Sequence, residues 1–163
     1  MNWSMTFMRN VDNFLPYGTL ERRAEVPIRN YSAIFDQKTK LLLGLLKIAI
    51  TPNRREQYVE ELHHAGLEVD IYGGRGIKEL HLPRFRTEAA KKTLNRYKFY
   101  LSFENINCED YVSEKLFSNY NYDVIKVEQT TSVCFPNNSY IDTSDVCGVY
   151  LFILFSLFSK FST

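Results

Sequence analysis

Apolar positions from Leu41 onward form first a continuous run, then a stretch recurring at every third or fourth residue, then one recurring at every second. The run LLLGLLKIAI at 41–50 is continuous and ends in β-compatible residues, which predicts a strand near 47–50. Thr51-Pro52-Asn53 then reads as a turn and helix start. In RREQYVEELHHAG, Tyr58, Val59, Leu62 and Ala65 share one face, so a helix is expected over 54–65, stopped by Gly66. LEVDIYG alternates Leu67, Val69 and Ile71, which predicts a strand over 68–72. Gly73-Gly74-Arg75-Gly76 follows as a tight turn.

Thr87-Glu88 opens a second helix, expected to run to about Tyr97. KFYLSF at 98–103 reads as a buried strand, DYVSEKLFSNY as a third helix near 110–119, and 124–127 as a further strand. This alternation predicts an α/β fold, a Rossmann-like parallel sheet with helices on both faces. The C-terminal ends of its strands would share one edge, the expected ligand crevice. Residues 1–39 lack sustained periodicity, with Pro16-Tyr17-Gly18 as a turn, and read as a connecting segment. The domain proper is then 40–145, and 146–163 is an apolar tail.

Composition narrows the function classes. The 163 residues are 45% hydrophobic and carry a net charge of +1, which suits a packed domain and argues against a nucleic-acid partner. Cys108, Cys134 and Cys147 form no CxxC, allow at most one internal disulfide, and have no histidines at zinc-ligand spacing. The N-terminus has no charged segment followed by an apolar one, so neither signal peptide nor anchor is expected there. The apolar run at 148–158 falls well short of the roughly 20 residues a spanning helix needs. Asn2, Asn30 and Asn137 lie in sequons, which hints at a lumenal setting.

Chemistry concentrates in the stretches after the predicted strands. Arg54 and Arg55 stand in a first helical turn, where the macrodipole disfavours a cation unless an anion is also there; the plain alternative is a solvated pair. Glu114 and Lys115 are adjacent on a helix, diverge by about 100° and must each find another partner. Lys115 can meet a phosphate and Glu114 a ribose, or both can form a solvated turn. Asn105 could offer its amide to an anion or sugar, and Tyr111 could stack on a base, although a packing role is the more ordinary one. Glu104, Glu109 and Asp110 could hold a metal or supply a base, but helix capping is the commoner use. His63, His64 and His81 read as structural or surface residues, the glycine loop is too short for a phosphate cradle, and no hydrolase motif occurs.

YKFYLSFENINCEDYVSEKLF, residues 97–117, resembles the α-1,3-fucosyltransferase signature "YKFYLxFEN…DYVTEKL". NWSMTF followed by PYG, RREQYVEEL followed by VDIYG, and YDVI followed by PNNSYID resemble further family segments in family order, so the resemblance covers roughly residues 1–145. It implies one half of a GT-B glycosyltransferase, with 40–145 as the GDP-fucose donor-binding domain. Matched residue by residue, it implies Arg55 and Lys115 at the diphosphate, Glu114 at the ribose, and Asn105 and Tyr111 near the nucleotide.

The implied reaction is an inverting transfer of L-fucose from GDP-fucose to N-acetylglucosamine of a glycoprotein or glycolipid, in the Golgi lumen, without cofactor or obligatory metal. The acceptor-side base belongs to the family's other half, so no catalytic residue is assigned. The chain is expected to be incomplete. The alternative is a non-catalytic remnant or nucleotide-sugar-binding module. The chain departs from the family pattern at Met8-Arg9-Asn10-Val11, at Lys126 in place of a proline, over 127–135, and after Asp145.

Overall fold

The structure is a computed structural model, and it describes residues 3–21, 24–25, 27–45, 51–73, 87–106, 108–129 and 141–143. In chain order the elements are β1 (Met5–Thr6), β2 (Asn13–Phe14), α1 (Tyr31–Asp36), β3 (Lys40–Leu45), α2 (Arg55–His64), β4 (Val69–Tyr72), α3 (Glu88–Leu94), β5 (Tyr97–Leu101), α4 (Glu114–Phe117), β6 (Ile125–Glu128) and β7 (Ile141–Asp142). Five strands form one sheet in the order β4-β3-β5-β6-β7, every neighbouring pair parallel. Leu42 and Leu43 of β3 stand opposite Val69 and Asp70 on one side, and opposite Phe99 and Tyr100 on the other.

Both faces are covered, because neighbouring residues of each buried strand point to opposite sides. One cluster joins Leu42, Phe99, Leu101 and Val127 to Val59 and Leu62 of α2, with Phe35 of α1 packed against it. The other joins Leu43, Tyr100 and Tyr97 to Leu94 of α3 and to Tyr122 and Val124. A buried polar staple links three strands: the Tyr97 hydroxyl donates to Asp70 at 2.6 Å, Lys40 pairs with the same carboxylate, and the Tyr72 hydroxyl lies 3.0 Å from that of Tyr97. Burial, with the Asp70 bond adding to it, pushes the Tyr97 hydroxyl up.

Several element boundaries differ from expectation. The apolar run pairs from Lys40 through Leu45, where that staple anchors its start, while 47–50 lies outside the described residues. The helix expected to reach Tyr97 stops at Leu94, since Tyr97 already pairs with Lys40 in the ladder. β5 ends at Leu101: the Ser102 amide still donates to the Val127 carbonyl at 3.0 Å, and the chain then leaves the sheet. The helix expected near 110–119 shrinks to the single turn of α4 and a 3₁₀ turn over Ser118–Asn121. Asp110 is left-handed (φ 58°) and Ser113 extended, so no helix can pass through them. Within the connecting segment, β1 pairs with β2, and Asn30 caps α1 by accepting the Ala33 amide at 3.0 Å. α2 runs from Arg55 to His64 and ends as anticipated, with Gly66 at φ 83° and the Leu67 amide bonded to the Leu62 carbonyl at 3.0 Å.

Candidate functional site at the switch point of the sheet

The strand order places a switch point between β3 and β5. The chain leaves β3 outward to β4 by way of α2, and leaves β5 in the other direction, toward β6 by way of α4. Loops that part at such a point open a crevice at the strands' carboxyl ends. Residues 51–54 enter it from one side and residues 102–113 from the other.

On the first side, Thr51 and Glu56 close the turn, with the Thr51 hydroxyl donating to the Glu56 carboxylate at 3.0 Å. Arg54 takes a left-handed conformation (φ 54°) and stays exposed. That turn drops Arg55 into the protein at 1% exposure. One Arg55 terminal nitrogen donates to the Phe103 carbonyl at 3.2 Å, while its Nε has no hydrogen-bond partner among the described residues. Burial pushes the guanidinium below its usual value, with the Glu56 and Glu104 charges opposing. The Tyr58 ring sits edge-on to Phe103 at 5.1 Å and holds α2 over the end of β5.

On the second side the organising residue is Glu104, 2% exposed. Its backbone carbonyl accepts the Asn53 side-chain amide, which ties the two loops together. One carboxylate oxygen accepts the Ser113 amide at 2.7 Å, and the other accepts Lys115 Nζ at 2.8 Å. Lys115 Nζ also donates to Asn105 Oδ1 at 3.3 Å. Two acceptors therefore hold an ammonium that has three donors. Glu114 stands exposed in the same turn.

Of the residues singled out from sequence, Arg55, Asn105 and Lys115 meet around Phe103–Asn105, and Glu114 adjoins them on α4. Tyr111 lies at the margin, half-buried under the N-terminal segment, edge-on to Phe7 at 5.1 Å and to Tyr17 at 6.2 Å. Burial, together with the Glu104 charge, pushes its hydroxyl up. The acids considered as a cluster serve separate partners: Glu104 takes Lys115, Asp110 takes Arg9 at 3.6 Å, and Glu109 is exposed. Gly18 is needed where it stands, because a Cβ there would lie 2.6 Å from the Phe117 ring.

Sequence reasoning missed three members of this edge. Asn53 and the hub role of Glu104 depend on a bond across 51 residues, which no local pattern reports. Glu128, at the end of β6, is fully buried, and its Oε2 has no hydrogen-bond partner among the described residues. Desolvation, with the Glu104 charge adding to it, pushes its carboxyl up to about 8. An acid after a run of β-branched residues was the available signal.

The fold and this edge define an open, parallel α/β domain with a crevice bordered by two anchored cations at its switch point. Residues 35–150 match the family model for glycosyltransferase family 10 (fucosyltransferase), C-terminal part. The chain is 32% identical over 160 residues to "Alpha-(1,3)-fucosyltransferase fut-5" of Caenorhabditis elegans, covering 93% of this chain and 42% of that protein. It is 38% identical over 118 residues to the Bos taurus "3-galactosyl-N-acetylglucosaminide 4-alpha-L-fucosyltransferase FUT3", covering 72% and 30%, respectively. With "Glycoprotein 3-alpha-L-fucosyltransferase A" of Drosophila melanogaster it shares 37% over 126 residues, 73% of this chain and 24% of the fly protein. The chain belongs to the family 10 fucosyltransferases and spans less than half the length of each of these relatives.

Proposed function

We propose that this chain forms the donor half of a fucosyltransferase and binds GDP-fucose in the crevice between β3 and β5. The observation that carries the reading is the convergence of Arg55 and Lys115, from loops on opposite sides of the switch point, on Phe103–Asn105. Each is anchored on one side and keeps donors for a ligand: Nε of Arg55, and the third N–H of Lys115. Two cations so placed suit a diphosphate, Glu114 suits the vicinal hydroxyls of a ribose, and Tyr111 suits a wall beside the base. When fucose leaves GDP, negative charge grows on the diphosphate, and Arg55 and Lys115 stabilise it in place without a metal ion.

The acceptor in this reading is an N-acetylglucosamine-containing glycan of a glycoprotein or glycolipid, in the Golgi lumen. Its hydroxyl must lose a proton to a base as it attacks. Glu104 is committed to Lys115 and Ser113, Glu56 to Thr51, and Glu128 is fully buried, so in this reading none of the described carboxylates nearest the two cations takes that proton. The 163 residues alone then bind the donor without transferring it, which is also the reading of a nucleotide-sugar-binding module.

Calorimetric titration with GDP, beside a radiolabelled fucose-transfer assay, tests both parts. Lys115→Ala is expected to weaken GDP binding roughly ten- to a hundredfold, the worth of one charge-assisted phosphate contact. Equal affinity of the two proteins removes Lys115 from the site, and robust turnover by the 163 residues overturns the binding-only part.

A further inference from the structure

We propose that Glu104 is the positioning residue of this site: it acts on the ligand through Lys115 and touches no ligand itself. The inference rests on the donor-half reading for its ligand and on geometry for its structural part. Glu104 is bonded to both walls of the crevice: its carbonyl to Asn53, at the turn that delivers Arg55, and its carboxylate to Ser113 and Lys115 at the start of α4. A free lysine side chain samples many rotamers, and each must be given up when it meets a phosphate. Glu104 and Asn105 have already fixed this one, with Nζ held at 2.8 and 3.3 Å and the side chain only 22% exposed. Site groups held in this way bind more tightly because less freedom is lost on binding.

Charge alone predicts the opposite sign. Glu104 is an anion beside a site for an anion, so removing its charge should tighten a diphosphate by simple electrostatics. Losing the placement of Lys115 should loosen it. The direction of the change separates the two effects.

The test is a double-mutant cycle of Glu104→Gln and Lys115→Ala, read by GDP calorimetry on proteins checked for folding by near-UV circular dichroism. The glutamine side chain is nearly isosteric with glutamate and can still accept the Ser113 amide, but it is neutral toward Lys115. We expect Glu104→Gln to weaken GDP about tenfold when Lys115 is present and less than about twofold in the Lys115→Ala background. Unchanged or tighter binding overturns the proposal, as does an equal loss in both backgrounds, the mark of a merely structural role.

A second readout does not need GDP to bind at all. Amide hydrogen exchange at Ser113 should quicken at least tenfold in Glu104→Ala, while that of Leu101 inside β5 stays unchanged. A protein that shows this result but binds no GDP retains the positioning and loses the donor-half reading. Unaltered Ser113 exchange sinks the positioning whatever GDP does.

Discussion

Two glutamates stand at the ends of adjacent strands of the same sheet, both buried, and among the described residues only one is paired with a cation. Glu104, after β5, spends its carboxylate on Lys115 and the Ser113 amide and its carbonyl on Asn53. Glu128, at the end of β6, accepts the amide of the next residue, Gln129, at 3.2 Å and has the Ser102 hydroxyl beside it, but its Oε2 has no hydrogen-bond partner among the described residues. Desolvation then decides its state, and it holds its proton up to about pH 8. Burial is equal in the two, so it is the partner that turns a buried acid into an organising charge. The contrast also separates the two walls of the site edge: the β5 side is pre-arranged, and the β6 side carries a stability cost.

Removing the partnered acid should have the largest effect. Glu104→Ala deprives Lys115 and the Ser113 amide of their acceptor and should cost about 3 kcal/mol in urea denaturation, with Lys115 partly relieved by solvent. A loss under about 1 kcal/mol would mean that the Glu104 bonds are no better than surface ones.

Removing Glu128 should act in the other direction. Glu128→Val replaces a desolvated carboxyl by an apolar side chain on a packed strand and is expected to stabilise the protein by about 1–3 kcal/mol near pH 8. Destabilisation by Val would show that the Gln129 and Ser102 bonds of Glu128 outweigh its desolvation.

Smaller in size is the pH dependence. The folded protein keeps the Glu128 proton to about pH 8, whereas an unfolded chain releases it near 4.5. Between those values the folded state binds more protons, so stability falls as pH rises. Lys126, on the same strand, runs the other way: burial brings it from 10.5 down to about 8, the unfolded chain holds the extra proton above that, and stability climbs again. Thermal melts should therefore show a minimum near pH 8, and Glu128→Gln should abolish the falling limb alone. A flat profile from pH 5 to 8 would remove the premise of the comparison.

The smallest effect belongs to Ser102, whose hydroxyl is fully buried beside both strand ends and favours the charged form of Glu128. Ser102→Ala should move the Glu128 titration still higher, measured by NMR, with a stability change of about 1 kcal/mol or less. A downward movement would mean that Ser102 does not bear on Glu128.

Much of this edge was legible residue by residue. Arg55 announced itself as a cation at a helix start, in conflict with the macrodipole. Glu114 and Lys115, adjacent and unable to pair with each other, pointed to separate partners, and Lys115 does find one in Glu104. The pattern misled where one residue's backbone state decides: a helix-like run through Asp110 and Ser113 says nothing of the left-handed turn at Asp110, beside Arg9 of the distant N-terminal segment. The short α4 followed from that turn.

What the sequence by itself determined is the alternation of strands and helices, and with it a parallel sheet whose loops share one edge, because spacings of two and of about 3.6 are local properties that survive without tertiary context. Family membership was legible as well, in the signature over residues 97–117, where Ser113 stands in place of the family's threonine. The adjacency of β3 and β5, the reach of Asn53 to Glu104, and the pairing of Glu104 but not Glu128 with a described cation arise only in the folded chain. Those outcomes depend on which groups meet across the fold, and a buried group's charge is set by the few atoms that face it, wherever along the chain they originate.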